Sequence, residues 1–168
     1  MQSECARVTT AAEARFRVDA PNSRPRSIPV IALDAGCERV LKALREEGSE
    51  AAFFGVSSGG DDAAATRTVK GALRDIATGT AKDLAEVLMS ADHVVLVVTA
   101  GEDAEIAPII GEACNAFRVP ATALVLGSSE VTEEALSKTA SRFRAWVAML
   151  VIANTEDYVL PMLSALRA

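Results

Sequence analysis

Val94–Thr99 (VVLVVT) is an unbroken run of β-branched and aliphatic side chains that turns polar only at its last residue. A strand with one solvated face alternates, so a run of this kind belongs to a strand covered on both faces. Ala100 and Gly101 end it. Ile106, Ile109, Ile110, Ala113 and Phe117 then recur at helical spacing, with Pro108 early enough to be tolerated in a first turn. Residues 91–117 thus predict a buried strand, a tight turn and an amphipathic helix. In an open α/β sheet the ligand crevice lies beyond the carboxyl ends of the strands, which puts residues 101–105 at its mouth. Glu102, Asp103 and Glu105 make that mouth acidic.

The rest of the chain repeats the theme. Residues 28–33 and 51–56 are strand-like, and between them residues 37–47 present Val40, Leu41 and Leu44 at helical spacing before Gly48, a helix stop. A turn follows at residues 57–62, and a helix is expected around residues 68–76. Thr80 to Asp83 reads as a capping box for a helix bearing Leu84, Val87 and Leu88. Residues 121–126 form another strand, and a helix over 131–146 places Glu133 and Glu134 early and Lys138, Arg142 and Arg144 late, as its dipole favours. A strand at 148–153 and a helix over 156–166, broken or restarted at Pro161, close the chain. Strands alternating with helices at this interval predict an α/β fold, a parallel sheet with helices on both faces.

The first 27 residues, with Arg15, Arg17, Arg24 and Arg26, read as an extended arm or edge strand ahead of a single domain at residues 28–168. A chain of 168 residues, half of them apolar, can build one proper core. The net charge of −6 argues against a nucleic-acid surface, which needs a basic stripe. Cys5, Cys37 and Cys114 are odd in number and widely spaced, with His93 the only histidine, so a structural zinc site is not expected and reduced cysteines in a cytoplasmic protein are. No stretch approaches a membrane-spanning length.

Three separated segments together resemble the nucleotide-binding domain of the FtsZ/tubulin family. Residues 28–57 (IPVIALDAGCERVLKALREEGSEAAFFGVS) are similar to that family's first strand, glycine-rich turn, helix and second strand. Residues 91–126 resemble the strand ending in T-A-G, the helix beginning A-P-I-I and the next strand, and residues 141–160 (SRFRAWVAMLVIANTEDYVL) resemble the helix and strand that end in I-x-N before an acidic residue. The resemblance implies a bacterial, three-layer, Rossmann-like, mostly parallel sheet with strand order 3-2-1-4-5-6, GTP or GDP as the ligand class, and assembly into oligomers. Carried over residue by residue, it implies that Asn154 contacts a nucleobase and that Gly36 and Gly101 belong to the nucleotide turns. The chain departs from the family where the phosphates would lie. Residues 102–105 (EDAE) replace a longer glycine- and threonine-rich loop, and no room remains for the central helix and second domain that complete GTP hydrolysis. Loss of GTPase activity is therefore expected, and the cofactor stays open.

The implied strand order makes neighbours of Asp34, at the end of the first strand, and Glu102 and Asp103, at the end of the fourth. Close carboxylates perturb one another or recruit a cation, which serves acid–base or metal chemistry. The competing explanation is structural: acids at helix N-termini are stabilised by unpaired N–H groups. Cys37 opens a helix where a dipole can activate a thiol, although no base accompanies it. Three functions follow as expectations: a non-hydrolysing FtsZ/tubulin-like domain that binds a nucleotide or other small ligand, or modulates assembly, through Asp34, Gly36, Gly101, Glu102, Asp103 and Asn154; an enzyme built on the Asp34, Glu102 and Asp103 carboxylates; and a structural subunit of an oligomer.

Overall fold

The computed structural model describes residues 26–56, 72–102, 104–127 and 131–166. Residues 1–25 of the expected arm, the turn at 57–62 and Asp103 lie outside these residues. Seven strands, β1 (Val30–Ala32), β2 (Phe53–Val56), β3 (Ala72–Asp75), β4 (Ala81–Asp83), β5 (Val94–Thr99), β6 (Ala121–Leu126) and β7 (Met149–Ala153), form one open sheet in the order β4-β3-β2-β1-β5-β6-β7. Among the described residues five α-helices accompany them: α1 (Ala35–Glu46), α2 (Leu84–Met89), α3 (Ala107–Phe117), α4 (Glu133–Phe143) and α5 (Val159–Leu166). The strands β2, β1, β5, β6 and β7 are parallel, as the alternation of strands and helices predicts.

The central strands are apolar on both faces because both faces are covered. Ile31, Leu96, Val98, Ala123 and Val125 share one buried cluster with Leu84 and Leu88 of α2, Ile110 and Cys114 of α3 and Phe143 of α4. Val30, Ala32, Val95, Val97 and Leu124 point the other way, into a cluster with Cys37 and Leu41 of α1 and Val159, Met162 and Leu163 of α5. The period-two alternation of a strand, applied to an all-apolar run, thus feeds two cores at once.

Two local expectations fail in the same place. Residues 72–75 are not helical: β3 pairs antiparallel with β2, and β4 antiparallel with β3. Ala-Leu-Arg-Asp has no strong preference of its own, and burial of Leu73 together with pairing to β2 decides its conformation. The turn is fixed by Asp75, whose Oδ1 accepts from Ala77 N–H at 2.8 Å and Thr78 N–H at 3.2 Å, while Gly79 takes φ +71°. Residues 80–83 accordingly do not form a capping box. Asp83 is itself the N-cap of α2, accepting from Ala85 N–H at 2.8 Å, and Thr80 Oγ1 lies 2.7 Å from Thr78 Oγ1 in the hairpin turn.

Helix ends follow from local chemistry. Gly48, at φ +99°, closes α1 with Gly48 N–H bonded to Arg45 C=O and Ser49 N–H to Leu44 C=O. α3 ends the same way, but its left-handed residue is Arg118, at φ +57°. An L side chain there costs about 1 kcal/mol. Arg118→Gly is therefore expected to raise stability by roughly 0.5–1 kcal/mol in urea denaturation.

Candidate functional site

The strand order changes direction between β1 and β5, so the crevice beyond their carboxyl ends is the topological switch point. Asp34 and the β5 tip do meet there. Asp34 is the N-cap of α1: its Oδ1 accepts from Cys37 N–H at 2.9 Å and from the Thr99 hydroxyl at 2.9 Å, and its Oδ2 accepts from Thr99 N–H at 2.7 Å. Because a carboxylate only accepts, the Thr99 hydroxyl donates to it, and the Cys37 thiol, 3.4 Å from Thr99 Oγ1, donates in turn. Both oxygens of Asp34 are thus occupied in tying α1 and β1 to β5.

Gly36 belongs to this arrangement. A Cβ at residue 36 would sit 2.9 Å from Asp34 Oδ1 and 3.0 Å from Thr99 Oγ1. The glycine permits close approach of the protein to itself. Cys37 is fully buried, and that burial, more than the neighbouring Asp34 charge, pushes its thiol well above the ordinary range. Cys114 is likewise buried and pushed up to about 11. Neither thiol is poised as a nucleophile.

The resemblance to the FtsZ/tubulin family implies phosphate-wrapping backbone N–H groups at the β5 tip. Here those donors are used internally. Ala100 N–H bonds to Leu126 C=O at 2.8 Å, Gly101 N–H to the Thr139 hydroxyl at 3.0 Å, and Glu102 N–H to Thr99 C=O at 3.1 Å. Thr139, only 3% exposed on α4, reaches across to serve Gly101, which adopts φ +92°. Sequence reasoning missed Thr139, since nothing local marks a threonine in mid-helix as the partner of an amide 38 residues earlier.

Glu102 is exposed, and Asp103 lies outside the described residues. α3 begins at Ile106, which makes no side-chain cap, and carries no acid in its first turn. Among the described residues no group of three or more His, Cys, Asp or Glu side chains is placed to hold a metal ion. Asn154 is exposed at the carboxyl end of β7, with Gly127 beside it at the end of β6. β5 and β6 separate it from β1, a span of roughly 14 Å at the usual strand spacing.

His93 lies at the opposite, amino end of β5, its Nε2 2.8 Å from the buried Thr122 Oγ1. Desolvation, with a smaller contribution from Arg26, lowers its pKa below 6.5. The unfolded chain therefore binds this proton more readily than the folded one. Stability should be lost as pH falls through 6.5 and level off below the folded-state value. His93→Gln is expected to flatten that part of the stability profile, read by urea denaturation between about pH 8 and 5.

Fold and site together define an open, mostly parallel α/β domain whose central carboxyl edge has its amide donors engaged internally. No protein-family model matches the chain, and no curated protein matches it significantly. Among the described residues no helix is long and apolar enough to cross a membrane.

Proposed function

We propose that this chain is a non-hydrolysing, FtsZ/tubulin-like cytoplasmic domain that recognises a small ligand, of which a nucleoside is the favoured class, and acts by binding or by modulating assembly. The observation behind this reading is the engagement of three consecutive amides, Ala100, Gly101 and Glu102, by Leu126, Thr139 and Thr99. A triphosphate at that tip would meet spent donors and the Glu102 carboxylate, so binding energy must come from elsewhere on the edge. Asn154, exposed beyond β7, offers an amide that can donate to and accept from a base. The carboxylate-enzyme alternative is weakened by the engagement of both Asp34 oxygens.

Thermal shift with guanosine, GDP and GTP, each with and without magnesium, tests the reading, because a ligand selective for the folded state raises the melting temperature by mass action. Guanosine and GTP are expected to stabilise equally, magnesium to add nothing, and Asn154→Ala to abolish the shift. Stabilisation that requires the triphosphate and magnesium contradicts it.

A further inference from the structure

The two edges of the sheet differ. β4 is three residues long and carries Lys82 and Asp83, the short charged form that discourages strand pairing. β7 is MLVIA, without charge or proline, and Met149 and Ile152 are 44% and 47% exposed. Its outward backbone groups can be assigned from the ladder. Ala153 C=O accepts from Gly127 N–H at 2.7 Å, so in this parallel pairing Met149, Val151 and Ala153 direct their N–H and C=O groups at β6. Leu150 and Ile152 direct theirs away from the sheet.

We propose that a second copy of this chain docks on β7, edge to edge and antiparallel, about a two-fold axis at Val151. The strand is self-complementary in that arrangement. Leu150 of one copy faces Ile152 of the other, and both are outward-bonding residues, so each pair exchanges two hydrogen bonds and the seam contains four. Charge favours the same orientation. Exposed Arg144 precedes the strand and exposed Asp157 follows it, so an antiparallel copy brings a basic residue toward an acidic one at both extremities. A parallel pairing would set like charges together. The proposal is independent of the ligand reading, since β7 contributes its edge here and Asn154 its end there.

Sedimentation equilibrium of the full chain, with amide hydrogen exchange at matched concentrations, tests it. A reversible dimer is expected, with Leu150 and Ile152 amides becoming protected as concentration rises while Val151 is protected throughout. Ile152→Lys, at a half-exposed position that leaves the β6 ladder intact, should weaken the dimer about tenfold or more. Arg144→Glu should weaken it as well, and Asp157→Arg in the same chain should restore it. A monomer at all concentrations overturns the proposal, as does a dimer insensitive to Ile152→Lys. Concentration-independent protection of Leu150 and Ile152 overturns it too, by showing that another segment of the chain covers the edge. Failure of the charge swap to restore association rejects the antiparallel orientation.

Discussion

Gly111→Ala is expected to destabilise the domain by about 2–3 kcal/mol, a fall in melting temperature of roughly 4–12 °C for a chain of this size. An alanine Cβ at residue 111 would lie 2.5 Å from Trp146 Cβ and 2.7 Å from Trp146 Cγ. These atoms belong to the root of the indole side chain, so the backbone of the turn after α4 must move. That turn is pinned by Trp146 N–H and Val147 N–H, both bonded to the carbonyl of Phe143, whose side chain is fully buried. The sign makes the test sharp. In an unobstructed helix the same change would stabilise by up to about 1 kcal/mol. Urea denaturation followed by the fluorescence of Trp146, the chain's one tryptophan, reads both the stability and the displaced ring.

Asp34→Ala is expected to lose about 3 kcal/mol, combining a helix cap with two charge-assisted hydrogen bonds and leaving Thr99 N–H without its acceptor. Asp34→Asn should lose less, because one amide oxygen can still accept while the NH2 group opposes a donor on Thr99. Gly36→Ala should act in the same direction by pressing on Asp34 Oδ1 and Thr99 Oγ1. If Asp34 were instead held for chemistry in a cluster of repelling carboxylates, removing its charge would stabilise the fold. Thermal and urea denaturation of the three variants distinguishes these outcomes by sign.

The layers of the fold were legible because the central strands are unbroken apolar runs: VVLVVT and ALVL cannot be half-solvated, and Gly48 marks its helix end without help from tertiary structure. The β3–β4 hairpin was not legible. Ala72–Asp75 has neither alternation nor β-branched residues, and its strand state comes from pairing with β2, which no local window contains. Asp34 was visible as a residue at a strand end and helix start, and its place beside the β5 tip followed from the strand order. Of the two readings open in the sequence, the structural one fits Asp34, which caps α1 through Cys37 N–H and is held by Thr99 N–H. Thr139 and Trp146 act through contacts between elements far apart in the chain, so the saturation of Gly101 and the tight approach at Gly111 leave no trace in composition or spacing.

Titration of the isotope-labelled protein with GTP and magnesium, following the backbone amide resonances of Ala100, Gly101 and Glu102 alongside released phosphate, reaches the central point most directly. Amide shifts at these residues no larger than guanosine alone produces are expected, with no phosphate release. Large triphosphate-dependent shifts at Gly101 and Glu102 accompanied by turnover would contradict it.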